Sequence, residues 1–208
     1  MMTKEQNDIN WANYFIEGTN VLKNNLGITN YEYLKEIETE ITANKLFELY
    51  VNPIKLNFDE EHLKAIHKHL FGVLYPFAGE YRNVYMQKNN SYFASVDQID
   101  IRLKETFKYI EEKILDVHTK YDFACLLAEF YVLLLHIHPF REGNGRSIRE
   151  FIREYSNEKS KNFSFGPLNF NWSNVDGEII YSIIDKSLAF RSAIELEFLN
   201  ALEQEKIK

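Results

Sequence analysis

Apolar positions recur along most of this chain at helical spacing. Residues 59–75 place Leu63, Ile66, Leu70 and Leu74 on one stripe, and Asn57 with Glu60 reads as a capping box at the start. Ser95 with Gln98 reads as a second capping box, ahead of Ile99, Leu103, Ile110 and Ile114. Residues 122–136 are apolar on nearly every side (Phe123, Leu126, Leu127, Phe130, Leu133, Leu134), the pattern of a helix at the buried centre of a bundle. Past Gly145, the residues Ile148, Phe151, Ile152 and Tyr155 repeat at i, i+3, i+4, i+7. Further helices are expected over 6–15, over 31–50 (Leu34, Ile37, Ile41, Leu49), over 176–190 and over 192–206.

One segment breaks this rhythm. Tyr81 to Phe93 is aromatic and β-branched with Asn89-Asn90 at its middle, which predicts a short hairpin around a polar turn. Two strands alone are marginal and must lean on helices. The expected fold is therefore all-α with one short β-hairpin. No repeat or Pro/Gly-rich linker divides the chain, so one domain is expected over 1–208, with its core at about 55–190 and flanking terminal helices.

Composition narrows the function. Lys and Arg total 24 against 31 Asp and Glu, a net charge of −7, which argues against a broad nucleic-acid-binding face but leaves room for a small basic pocket. The greasiest stretch, Phe123 to Leu135, is interrupted by Glu129 and is shorter than the roughly 20 residues that span a bilayer. Cys125 is the only cysteine and sits in an apolar run, which makes it a small hydrophobe rather than a nucleophile. A cytoplasmic protein is expected; export as an effector would leave no mark in the sequence.

The chemistry concentrates in His138-Pro139-Phe140-Arg141-Glu142-Gly143-Asn144-Gly145-Arg146-Ser147-Ile148-Arg149. A buried helix ends near His136, Pro139 stops it, and a new amphipathic helix starts around Asn144. Gly143 and Gly145 leave the intervening backbone N–H groups bare, and free N–H groups at a helix N-terminus form an anion site. Arg146 and Arg149 share a helix face and add two permanent charges, which suggests a polyphosphate. Glu142 beside phosphates is a candidate magnesium ligand. His138 is the group in this loop that can move a proton near neutrality. Neither a P-loop nor a G-x-G-x-x-G turn is present.

This run matches the Fic signature H-x-F-x-[DE]-G-N-G-R-x-x-R without a gap. Phe15 to Gly27 resembles the N-terminal segment of many Fic enzymes, and Phe77-Ala78-Gly79-Glu80-Tyr81-Arg82 resembles the lead-in to that family's flap hairpin. The resemblance covers roughly residues 11–200 and implies a Fic-type helical bundle that transfers AMP from ATP, with Mg²⁺, to a Tyr, Thr or Ser hydroxyl of a protein. By motif position, His138 would be the base, Phe140 a buried anchor and Glu142 the magnesium ligand. Gly143, Asn144 and Gly145 would form the anion nest, with Arg146 on the β- and γ-phosphates and Arg149 on the γ-phosphate. Residues 82–93 would hold the target segment by strand addition, and Lys88 would reach the nucleotide.

Many Fic proteins carry an inhibitory [ST]-x-x-x-E-[GN] helix. Here no Ser or Thr has Glu four residues on; Ser192 is nearest, with Glu197 one residue late, and such a slip rotates a helical side chain by about 100°. Restraint by a separate antitoxin-like partner, or regulation without that motif, is the expectation. Self-modification on a flap or surface tyrosine is a further outcome of such chemistry. Rival functions are a Doc-like kinase transferring the γ-phosphate, which usually has lysine where Gly145 stands, and a non-enzymatic module that binds protein through its flap. Among the other residues, His136 reads as a helix-terminal or core histidine. His62, His67 and His69 read as the solvated flank of their helix. Phe47, Tyr50, Phe71, Phe77 and Phe130 read as core, and Glu111-Glu112-Lys113 as a solvated face.

Overall fold

The computed structural model describes residues 2–88, 91–179 and 191–204. Three helices lead the chain: α1 (Lys4–Asn13), α2 (Tyr31–Val51) and α3 (Glu60–Phe71). A hairpin of β1 (Gln87–Lys88) and β2 (Ser91–Tyr92) follows, pairing Gln87 with Tyr92 and Lys88 with Ser91. Then come α4 (Ile99–Lys113), α5 (Lys120–Ile137), α6 (Asn144–Lys159), β3 (Leu168–Phe170), α7 (Arg191–Ala201) and β4 (Leu202–Gln204).

The apolar α5 is the hub, packed against α4, α6 and α7. Its start is fixed by a capping box in which Thr119 Oγ1 accepts from the Asp122 N–H while the Asp122 carboxylate accepts from the Thr119 N–H. The amphipathic α6 lies between α5 and α3. At that junction the Phe151 ring meets Phe107, Phe130 and Phe58 edge-on, with centroids 5.5, 5.6 and 6.0 Å away. Every one of these contacts joins a different stretch of chain, so a single ring knits the helices that carry the motif.

The structure corrects several expectations. His62 and His67 are fully buried and His69 half-buried, because 62, 63, 66, 67 and 70 form one stripe of α3. Burial of His62 is tolerated because its Nε2 meets Glu154 Oε2 at 2.9 Å. Phe47 and Tyr50 are exposed instead of core, since α2 offers Leu34, Thr42 and Leu49 to the interior. Helix α3 starts after Asp59, not Asn57: Phe58 turns the chain at φ 56°, and the Asp59 carboxylate accepts from the His62 N–H at 3.0 Å. Ser95 makes no side-chain cap; the chain enters α4 through a 3₁₀ turn, Val96–Gln98. The helix expected over 192–206 stops at Ala201, and Leu202–Gln204 pairs antiparallel with Leu168–Phe170 to make a second small sheet. The turn expected at Asn89-Asn90 and residues 180–190 of the expected 176–190 helix lie outside the described residues.

Phe151→Ala should cost about 3–5 kcal/mol, the range for removing a fully enclosed aromatic ring, read as a lowered midpoint in urea unfolding.

Candidate active site

Helix α5 ends where His138 turns into the left-handed region at φ 52°, ψ 60°, its N–H still bonded to Leu134 O at 3.0 Å. That turn reverses the chain, and Arg82 holds it there. Arg82 is 1% exposed, and its guanidinium donates to four carbonyls: His138 O (2.8 Å), Ile137 O (3.3 Å), Val84 O and Ala94 O (both 2.5 Å). Its backbone N–H adds a bond to Pro139 O at 2.8 Å. Burial lowers its pKa only to about 10, so it is charged at neutrality.

The His138 ring stacks on Phe93, centroids 3.9 Å apart and planes 7° off parallel. Its Nδ1 lies 3.3 Å from Leu135 O, an arrangement that puts the proton on Nδ1 and leaves Nε2 with its lone pair. Burial, aided by Arg82 and Lys88, pushes its pKa down to about 4. The imidazole is neutral at pH 7 and able to accept a proton.

Between His138 and α6 the loop is stapled from inside. Phe140 is fully buried, and the Asn144 side chain both accepts from the Phe140 N–H (2.9 Å) and donates to Phe140 O (2.7 Å). Asn144 therefore offers the cradle its backbone N–H, its amide side chain being spent on the loop. His67 stacks on Phe140 at 3.8 Å; its Nδ1 accepts from the Gly79 N–H (2.8 Å), so Nε2 donates to Glu142 O (2.9 Å). Burial lowers the His67 pKa to about 4, which keeps this tie uncharged. Gly143 caps α6 at φ 80°, and a Cβ there would sit 2.3 Å from the Phe71 ring. A Cβ on Gly145 would meet Arg149 Nη1 at 3.3 Å, so the second arginine folds back over the bare helix start.

These groups open onto one cavity of about 620 Å³. His138, Glu142, Arg146 and Arg149 line it with the N-terminal turn of α6, whose first N–H groups have no partner within the helix. Lys88 lines it from the flap, and Tyr131, Leu135, Trp172 and Val175 form a mostly apolar wall. The motif residues anticipated from the sequence thus converge, with Phe140 beneath the loop.

Several supporting groups were not anticipated. Trp172 donates from Nε1 to Arg149 O at 2.9 Å. Arg141 is buried over the rings of Trp11, Phe15 and Tyr14, at 4.4, 5.3 and 5.5 Å. The same N-terminal segment grips the flap stem: Asn10 donates to Asn83 O (2.9 Å), Asn7 accepts from the Tyr85 N–H (2.8 Å) and Trp11 donates to Tyr85 O (3.2 Å). His136 sits in the last turn of α5 with Nδ1 2.9 Å from Val132 O. Glu197 accepts from the Asp176 N–H at 2.8 Å.

A glycine-capped helix start and a neutral imidazole line one cavity, and comparison gives the family. Residues 57–155 match the Fic/DOC family, and the chain carries a Fic domain. It is similar to the protein adenylyltransferase VbhT of Bartonella schoenbuchensis, 38% identical over 141 residues, 67% of this chain and 30% of VbhT. A protein adenylyltransferase of Bartonella henselae is 28% identical over 78% of this chain and 33% of its own length. The chain thus spans about a third of each of these two relatives. Among solved structures, the N-terminal Fic domain of a VirB-translocated Bep effector from Bartonella quintana, with bound ADP, superposes at TM-score 0.82 with 26% identity, covering 93% of this chain and 96% of that one. The N-terminal Fic domain of a Bep protein from Bartonella sp. AR 15-3 gives 0.80 with 27% identity, covering 92% and 91%. Among the described residues no helix is long and apolar enough to cross a membrane.

Gly143→Ala should cost about 1–3 kcal/mol from the positive φ alone, with the Phe71 clash added. Expected is a lowered unfolding midpoint together with at least about tenfold weaker ATP binding by calorimetric titration, since the cradle and the strain share one residue.

Proposed function

We propose that this chain transfers AMP from ATP to a hydroxyl side chain of a target protein. The observation that carries this reading is the neutral His138 imidazole, fixed with its lone pair on Nε2, beside an anion cradle in which Gly145 is intact. His138 takes the proton of a Tyr, Thr or Ser hydroxyl; the oxygen forms a bond to the α-phosphorus, and the bond to the bridging β-oxygen breaks. Pyrophosphate leaves, and the target carries an O–P bond to AMP. The N–H groups of the α6 turn and the two arginines meet charge on the non-bridging oxygens without having to reorganise. Trp172, Val175 and Tyr131 offer an apolar face for the base. The Bep neighbour bound to ADP supports nucleotide occupancy of such a fold.

Glu142 fits a magnesium role. Its carboxylate lines the cavity and is 42% exposed, and one protein carboxylate plus substrate phosphates is how this ion is usually held. Bound there, Mg²⁺ would neutralise charge on the α- and β-phosphates. The target segment is read as docking on the β1–β2 flap by strand addition, beside Tyr92, which is 80% exposed.

The test is label transfer with Mg²⁺, a cell lysate and ATP labelled at either phosphate. Label should move from the α and not the γ position; γ-only transfer would favour a kinase, and none from either, with His138 intact, a binding module or a lysate that lacks the target. His138→Ala should lower the rate about 10²–10⁴-fold.

The pH dependence follows from the depressed pKa. Protonation of His138 removes the base, so activity is full at neutrality and is lost as pH falls through about 4. Initial rates of His138-dependent transfer from pH 7 down to 4 should stay flat well below 6.5; a half-maximal point near 6.5 would contradict it.

A further inference from the structure

Arg146 has two sides. One faces the cavity. The other is held by residues that do not line the cavity, on α2 and around the end of α3. Glu38 Oε1 accepts from Arg146 Nη2 at 2.6 Å, and Thr42 Oγ1 accepts from Nη1 at 3.3 Å. The Phe71 ring lies 4.7 Å from the guanidinium carbon. Glu38 is fixed in turn, because the Tyr75 hydroxyl donates to its Oε2. The Glu38 side chain is 14% exposed, so this charge-assisted bond forms largely out of water, where it is strong.

A second carboxylate competes for the same guanidinium. Glu142, four residues before Arg146 and ahead of the Gly143 cap, lies 3.9 Å from Nη2. Glu142 precedes the Gly143 cap and so lies outside the helix, and its Oε1 accepts from the Gly143 N–H at 3.0 Å. Glu38, reaching across from α2, wins that competition by more than an ångström. The consequence is double: the guanidinium presents its remaining N–H groups to the cavity, and the Glu142 carboxylate stays with the Gly143 N–H instead of closing on the arginine.

We propose that Glu38, braced by Tyr75, is the positioning residue for Arg146, setting its aim at the β- and γ-phosphates and holding it away from Glu142. This rests on the reading above that Arg146 meets the polyphosphate. Without Glu38, Arg146 falls back on Glu142, and both lose their hold on the nucleotide. Nothing in the sequence of the motif announces this partner, which stands 108 positions earlier in the chain.

The experiment is calorimetric titration of the full chain with ATP plus Mg²⁺ and, separately, with AMP, which lacks the phosphates Arg146 would reach. Arg146→Ala should weaken ATP at least about tenfold and leave AMP within about twofold. Glu38→Gln should weaken ATP about 5- to 20-fold and Tyr75→Phe about 2- to 5-fold, again sparing AMP. Glu38→Gln added to Arg146→Ala should cost nothing further, because the two act as a unit. Should Glu38→Gln fail to fold, Tyr75→Phe carries the same test with one hydroxyl removed. ATP binding equal to or tighter than native in Glu38→Gln overturns the proposal, as does an equal loss for AMP, which would mark a merely structural role. Unchanged ATP binding in Arg146→Ala would remove the polyphosphate reading itself, a distinguishable failure.

Discussion

A buried cation at the end of a helix organises this molecule. Helix α5 leaves its last carbonyls pointing at the place where the chain must reverse, and the partial negative charge of the helix end collects there. Arg82 answers both with one planar group, bonding Ile137 O and His138 O on one side and Val84 O and Ala94 O of the flap stem on the other. A lysine could not span these positions, because its donors radiate from one nitrogen. One side chain thus bonds both the backbone of the proposed base and the root of the flap. If the flap holds a target segment, its register relative to His138 is set here and not in the hairpin, whose two-residue strands are too short to set it.

The loop beyond is held by neutral groups. Two imidazoles with pKa values near 4, His67 and His138, are each stacked on an aromatic ring and each fixed in one tautomer by a backbone partner. Burial is what depresses both, yet the results differ. His67 spends both ring nitrogens on the backbone, so it can only position. His138 spends one, and the other remains for chemistry. The same physics thus gives a strut and the proposed base.

Much of this was legible in the sequence, for identifiable reasons. The α5 and α6 helices and the loop between them follow from apolar periodicity interrupted by Pro139 and the glycines, all local signals. The histidines of α3 were misread although the pattern held the answer. His67 falls between Ile66 and Leu70 on the apolar stripe, but an imidazole is scored as polar, and only its distant partners, Gly79 N–H and Glu142 O, make burial affordable. Phe47 and Tyr50 failed the opposite way, since aromatic character says nothing about whether a helix has a neighbour on that face. The strand at 202–204 is set by pairing with 168–170, a contact no local window contains. Glu38, Tyr75 and Trp172 act on the motif from other elements, so their roles exist only once the chain is folded.

The treatment of charge explains how an acidic chain builds the proposed anion site. The three arginines of the motif are handled in three ways. Arg141 is buried against three aromatic rings, Arg146 is backed by Glu38, and Arg149 folds over Gly145 with no carboxylate ion pair among the described residues. Arg146 and Arg149 thus differ in availability: one is partly neutralised by Glu38, the other keeps its charge. Added to the N–H groups of the α6 turn, this makes a local positive field inside a protein of net charge −7. That field is short-ranged, because at physiological salt surface charges are screened within about 8 Å, whereas groups lining a cavity walled by Trp172, Val175 and Tyr131 are screened less. An anion is therefore not drawn from afar by the molecule as a whole. It is held only once inside, which favours a ligand that also carries a flat apolar part to occupy the wall, and a nucleotide has both.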